Sequence, residues 1–291
     1  MLGRPVKWVG TRSEAFVTDF HGRDNATHAE LALDQEGNFL ALLVDETANL
    51  GAYISGRGAI SPILNQPALA GTYRTPAIHV RVRGMFTNTV PTDVYRGAGR
   101  PEAVYLLERL IDKAADELNI DRVELRRLNM IPADAFPYKT PLGLTYDGGL
   151  FERNLEEGLR RMDWERMASR RAEAEARGKK RGIGFANYVE RCGHGVSQDV
   201  KLQVSADGGV TVLIGTMSNG QGHETAYTQI AAELLGIEPD KVDVVQGDTD
   251  LVARGEGTGG SWSIPLGGAA MQKAADVVID KGKKVAGHLL E

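Results

Sequence analysis

Three glycine-bearing loops, each running straight into a helical pattern, constrain this chain more than any other feature. They are residues 93–102 (DVYRGAGRPE), 215–225 (GTMSNGQGHET) and 254–263 (RGEGTGGSWS). Glycine makes up 35 of the 291 residues, against roughly 7% in an average protein, and it is concentrated in these loops and in 182–195. Such clusters between periodic segments mark places where backbone must come close to something. A helix N-terminus offers unbonded N–H groups and the positive end of a dipole, so a glycine loop emptying into one is a candidate anion site.

The periodic segments around the loops mix two patterns. Residues 27–33 alternate, 34–38 read as a turn and 39–44 as the return strand of a hairpin, and 77–86 alternate again. After a loop at 88–99, a helix begins near Pro101 with a stripe of Ala103, Leu106, Leu107, Leu110, Ile111, Ala114 and Leu118. Asp121 with Glu124 three residues on predicts the cap of a second, short helix. Residues 150–177 are charged and helical in pattern, and Gly178 ends them. Beyond lie strands at 183–189 and 200–205, a turn at 207–209, a strand at 210–214, a helix at 224–235, a strand at 242–246 and a helix at 264–290. Hairpins without regular β-α alternation predict an α+β fold rather than a doubly wound sheet. The expected organisation is a first domain over 1–149, a solvated helical connector over 150–180 and a second domain over 181–291, with no internal repeat. The first residues show no cap or turn logic and the last stop inside a helical pattern, so the chain reads as the central fragment of a longer subunit.

Composition narrows the function. With 34 basic and 39 acidic residues the net charge is −5, whereas binding a nucleic acid needs a basic excess. No apolar run approaches the roughly 18 residues of a membrane span, and no signal peptide opens the chain, which points to the cytoplasm. The single cysteine, Cys192, excludes intrachain disulfides and a self-contained iron–sulfur or Cys-rich zinc site. Cys192 and His194 read as a loop pair with a buried thiol. His21, His28, His79 and His288 are scattered.

Each loop also admits specific chemistry. Gln221 sits between two glycines, where its amide can point into a site while the backbone approaches a ligand. His223 and Glu224 are adjacent and so do not share a helix face, which argues against a metal pair. Gly255, Gly257 and Gly260 match G-x-G-x-x-G, with Asp280 twenty residues on. The preceding strand pattern ends at Gln246, too early for a dinucleotide-binding strand-to-helix turn, and the segments upstream read as hairpins rather than βαβ units. An anion nest of glycine N–H groups with the Thr258, Ser261 and Ser263 hydroxyls is the better mechanical reading. The loop bearing Arg96 and Arg100 also reads as a tight turn with two solvated arginines.

Together, VYRGAGRPEA, GTMSNGQGHETAYTQIAAELLGI and GDTDLVARGEGTGGSWS, in this order and spacing, resemble the large subunits of molybdenum hydroxylases, the xanthine oxidase and aldehyde oxidase superfamily. The aerobic carbon-monoxide-dehydrogenase-like large chains and the bacterial N-heterocycle dehydrogenases are the nearest in appearance, over nearly the whole chain. The resemblance implies two mixed α/β molybdopterin-cofactor-binding domains, with antiparallel hairpins and packed helices. It implies a molybdenum–molybdopterin cytosine dinucleotide cofactor, with Gln221, Gly222 and His223 beside the metal centre and Thr258, Gly260, Ser261 and Ser263 around the dinucleotide phosphates. Arg96, Gly97 and Ala98 would form the substrate loop. The pterin holds the metal, so no protein metal ligand is expected. The family's catalytic glutamate lies in a later G-E-G segment; Glu256 belongs to the phosphate loop, and no catalytic residue is expected in this chain. Copper-dependent CO oxidisers carry a cysteine where this chain has Gly97, and purine and aldehyde oxidisers carry an aromatic residue where it has Ala98.

The implied reaction is hydroxylation of an electrophilic carbon with water-derived oxygen. Electrons would leave to a 2Fe-2S small subunit and an FAD-binding medium subunit, in a dimer of heterotrimers. The chain alone is expected to hold no molybdenum and to be inactive. Two rivals stand beside this reading: a non-catalytic scaffold or cofactor-insertion homologue, and a Rossmann-type dehydrogenase, which needs a strand ending at Arg254.

Overall fold

The structure, a computed structural model, describes residues 3–4, 6–64, 66–193 and 197–290. The chain divides into two compact units, residues 1–190 and 191–291.

The first unit opens with α1 (Arg12–Thr18), started by a capping box between Thr11 and Glu14. Strands β1 (Asn25–Leu33) and β2 (Phe39–Gly51) form the expected antiparallel hairpin, with Thr27 opposite Glu46. After α2 (Ile60–Leu64) and a 3-10 turn, β3 (Ala77–Phe86) returns parallel to β2, so β2 is the central strand and is buried along most of its length. The stripe of α3 (Arg100–Leu118) buries Leu107 and Ile111 in the same core that holds Leu42 and Val44 of β2. Asp121 caps α4 (Arg122–Asn129) by accepting from the Val123 and Glu124 N–H groups. A two-residue ladder, β4 (Tyr138–Lys139) with β5 (Thr145–Tyr146), leads to α5 (Phe151–Met162) and α6 (Met167–Glu175).

The charged stretch after residue 150 is amphipathic rather than solvated all round: Leu155 and Leu159 of α5 join the first unit's core. Asp163, in the left-handed region at φ 52°, separates α5 from the turn that leads into α6. Beneath Phe185 lies a buried ionic network. Glu108 accepts from the Tyr73 hydroxyl at 2.5 Å and from Arg126 Nε at 2.9 Å, while Arg126 Nη2 meets Asp112 at 2.9 Å. Burial, helped by the Glu108 charge, pushes the Tyr73 hydroxyl well above its ordinary pKa.

The second unit carries β6 (Val200–Val204), β7 (Val210–Ile214), α7 (His223–Leu235), β8 (Val242–Val245) and α8 (Ala269–Leu290), the last entered through a π-helical turn at Ser263–Gly268. β6 and β7 pair antiparallel, and β8 lies parallel to β7 across α7. This corrects one sequence expectation: β7, α7 and β8 form a βαβ unit, where hairpins alone were expected upstream of residue 254. Both sheets thus have the same plan, a hairpin whose second strand gains a parallel neighbour. The architecture remains α+β.

Two further expectations change. Residues 183–189 pair with no strand among the described residues; their alternation signals a half-buried extended segment but not what lies beside it. Cys192 is exposed rather than buried, and His194 falls outside the described residues. Among the described residues no helix is long and apolar enough to cross a membrane.

Candidate functional site

Because β7 and β8 run parallel, the loops leaving them depart from the same end of the sheet, the end at which open α/β sheets present their ligand-binding loops. The loop after β7 carries Gln221 and the loop after β8 carries the 254–263 segment. The structure brings the two together. The Gly257 N–H donates to the Gly215 carbonyl at 3.2 Å, and the Thr258 hydroxyl donates to the Met217 carbonyl at 2.6 Å. At the crossing there is no space for a side chain. A Cβ on Gly215 would stand 2.4 Å from the Arg254 carbonyl oxygen, and one on Gly255 would stand 2.2 Å from the Gly215 carbonyl oxygen.

The second loop turns through left-handed backbone at Gly257, Gly260 and Ser261 (φ 66°, 46° and 53°). Turn backbone of this kind is what anion-binding concavities are built from. Trp262 closes it from below: its ring is buried and its indole N–H donates to the Gly257 carbonyl at 3.0 Å. Ser263 Oγ lies 3.0 Å from Thr258 Oγ1; since that hydroxyl already donates to Met217, Ser263 is the donor here. Tyr227 on α7 ties the base of both loops, donating to the Ser263 carbonyl at 2.9 Å and accepting from Thr216 at 3.1 Å. Burial raises its hydroxyl pKa. Glu256 is exposed.

Gln221 is held by a relay. Its Oε1 accepts from the Asn219 N–H, and its Nε2 lies 3.1 Å from His223 Nε2. His223 is buried, with Nδ1 3.2 Å from Gln246 Oε1, and Gln246 Nε2 donates to Glu224 at 2.9 Å. With Gln246 accepting, Nδ1 carries the imidazole proton and Nε2 accepts from Gln221. One hydrogen of the Gln221 amide then stays available, so this exposed side chain presents a donor. Gly222, left-handed at φ 80°, is the N-cap of α7 and lends no side-chain cap. The first N–H groups of that helix therefore lack an intrahelical partner.

Arg96, Gly97 and Ala98 belong to the first unit, in a turn with three successive positive φ values: 98° at Gly97, 46° at Ala98 and 94° at Gly99. Ala98 N–H donates to the Tyr95 carbonyl at 2.6 Å and Arg100 N–H to the Gly97 carbonyl at 3.0 Å. Arg23 fastens the turn: Nη2 donates to the Arg96 carbonyl at 2.6 Å, Nε pairs with Glu102 at 3.2 Å, and the guanidinium lies 5.0 Å from the Tyr95 ring centroid. Arg100 is paired with Glu190 at 3.3 Å, whereas Arg96 is exposed and its guanidinium has no ion pair among the described residues. Arg23, Gln246, Tyr227 and Trp262 were not singled out from sequence; each stands outside the glycine motifs or reads there as ordinary core.

Residues 1–130 and 157–291 each match the family described as the molybdopterin cofactor-binding domain. The chain is 36% identical to the carbon monoxide dehydrogenase large chain of Hydrogenophaga pseudoflava, over 100% of this chain and 38% of that one. It is 33% identical to subunit gamma of the 6-hydroxypseudooxynicotine dehydrogenase complex of Paenarthrobacter nicotinovorans, over 100% of this chain and 37% of that one. Among solved structures, quinoline 2-oxidoreductase from Pseudomonas putida 86 superposes with a TM-score of 0.87 at 30% identity, over 99% of this chain and 38% of that one. The chain thus spans less than two fifths of the length of these relatives.

Proposed function

Because the chain belongs to the molybdopterin-binding large-subunit family that includes carbon monoxide dehydrogenase and xanthine dehydrogenase, we propose that its paired loops hold the cofactor of a molybdenum hydroxylase. The observation that carries this reading is the hydrogen-bonded pair of loops at 215–222 and 254–263, closed at a crossing with no room for a Cβ.

The residues fit the group. Its pyrophosphate is an anion that needs N–H donors at close range, for which the left-handed turn at Gly260 and Ser261 is suited, while the Thr258 and Ser263 hydroxyls, bonded to the Met217 carbonyl and to each other, hold that turn in shape. Gln221, kept in place by His223 and Gln246, presents an amide N–H toward the metal end. When bound, the molybdenum centre supplies the activated oxygen and the electron sink for hydroxylating an electrophilic carbon. The cytosine dinucleotide form, a 2Fe-2S small subunit and an FAD-binding medium subunit in a dimer of heterotrimers complete the reading, with the general-base glutamate outside this chain.

For the substrate we favour an organic carbon beside nitrogen or oxygen over CO. The turn at Gly97 offers no thiolate for copper, and the Pro101 ring leaves no space for a Cβ there. A relative named for 6-hydroxypseudooxynicotine and a solved structure named for quinoline favour this choice, against the carbon monoxide dehydrogenase large chain at 36% identity.

The test is molybdenum and cytidine-nucleotide analysis of protein from a host that makes the cofactor. A complete large subunit containing this chain should carry both near stoichiometrically, and Gly255→Ala should lose both while the subunit stays folded. The chain alone should carry neither, since a partial site forfeits much of the binding energy. A cofactor-free complete subunit would favour the scaffold alternative.

A further inference from the structure

Two amides and an imidazole stand in a row beside the first turn of α7, and each of the three groups can bond either way round. Gln221 meets His223 Nε2 at 3.1 Å, His223 Nδ1 meets Gln246 at 3.2 Å, and Gln246 meets Glu224 at 2.9 Å. The ends of the row admit no such choice. At one end the Glu224 carboxylate only accepts. At the other the Asn219 backbone N–H, bonded to Gln221, only donates.

With both ends fixed, one arrangement of the middle groups satisfies all four contacts. Gln246 turns its NH2 to Glu224 and its carbonyl to His223. His223 carries its proton on Nδ1 and leaves Nε2 as an acceptor. Gln221 turns its NH2 to His223 and its carbonyl to Asn219. The other neutral tautomer sets donor against donor at Gln221 and acceptor against acceptor at Gln246, and the imidazolium also sets donor against donor at Gln221. His223 is buried, with the Tyr227 ring 5.3 Å away, so an unpaired ring nitrogen there carries the cost of a buried polar group. Gln221, by contrast, is exposed between Gly220 and Gly222, both in left-handed backbone (φ 95° and 80°). Beyond the Asn219 N–H, what turns its amide is the buried end of the row.

We propose that Gln246, itself turned by Glu224, is a positioning residue of the cofactor site: through the His223 tautomer it makes Gln221 present an N–H rather than its carbonyl, so the cofactor atom that rests there is a hydrogen-bond acceptor. Gln246 directly follows β8 and lies outside both glycine loops. The proposal rests on the cofactor reading above.

The test reads the His223 tautomer by NMR of the 291-residue chain with isotope-labelled histidine, at about pH 8, where an ordinary histidine is neutral. A His223→Gln chain assigns the signal. The parent should carry the proton on Nδ1. Gln246→Met removes the acceptor and Gln246→Lys replaces it with a donor; each should move the proton toward Nε2, while the other histidine signals stay in place and report an intact fold. Gln246→Glu, which still accepts, should keep it on Nδ1. In a complete large subunit, Gln246→Met should speed the loss of molybdenum and cytidine nucleotide on dialysis by about tenfold. The proposal is overturned by a parent ring protonated on Nε2, by a tautomer unchanged in both Gln246→Met and Gln246→Lys, or by parental cofactor retention in Gln246→Met. A parent subunit that binds no cofactor overturns the cofactor reading and the role of Gln246 with it, whereas the tautomer shift would still establish the relay.

Discussion

Pro101 Cδ stands 2.6 Å from the point a Cβ on Gly97 would occupy, and Gly97 itself sits at φ 98°. Both facts forbid a side chain at the position where CO-oxidising relatives were expected to carry cysteine. Pro101 belongs to the first turn of α3 and cannot swing aside as a flexible side chain would.

Gly97→Cys should therefore destabilise the first unit by about 1–3 kcal/mol, from strained backbone and overpacking. In a complete holoenzyme loaded with copper it should give no CO turnover. Urea unfolding within about 0.5 kcal/mol of the parent, or robust CO oxidation with a dye acceptor, would show that the turn yields easily.

Gln198 is buried, with neither amide atom hydrogen-bonded among the described residues, and its Oε1 lies 3.0 Å from the point a Cβ on Gly215 would occupy. A buried polar group without partners costs about 1–3 kcal/mol. Gln198→Leu should accordingly raise the stability of the second unit by about 1 kcal/mol. A loss of stability of that size, measured by denaturant titration, would mean that an ordered water or another group satisfies the amide.

Arg126→Met should cost about 3–5 kcal/mol, because it leaves Glu108 buried without its cation. Adding Glu108→Leu should recover a large part of that loss, since the two side chains share one network. Simple additivity in the double-mutant cycle would count against the network.

Tyr146 is buried and donates to the Gly71 carbonyl at 2.9 Å, and burial pushes its hydroxyl up to about 12 from an ordinary value of 10.0. A raised acid pKa means that folding favours the neutral phenol. The contribution is fully present below pH 10 and is lost as the pH climbs from there through about 12. Unfolding midpoints should fall across that window, and Tyr146→Phe should reduce the fall. An unchanged slope in the variant would assign the loss to other groups, Tyr73 first.

Much of this was legible beforehand. The β1–β2 hairpin, the apolar stripe of α3 and the Asp121 cap follow from local periodicity and chemistry, and the structure has all three. The convergence of the 215–222 and 254–263 loops follows from the resemblance, since both precede helices and loops that serve one cofactor must meet at it. Its cause, parallel pairing of β7 and β8, was not legible, because a parallel partner is chosen over a distance that no short-range pattern encodes. The same limit hid Arg23, which reaches the Arg96 carbonyl from 73 residues away. It also turned the alternation at 183–189 into a predicted strand, although alternation reports only which side faces the core.

The crossing of Gly215 and Gly255 also decides how this protein can be recombined with its relatives. The two loops fit only as a matched pair, since each backbone fills the space the other's side chain would need. Specificity swaps that graft one loop from a donor enzyme will import a partner shaped for a different crossing. The transferable cassette is the continuous stretch from 215 to 263, which carries both loops together with α7 and β8, the elements that set their spacing.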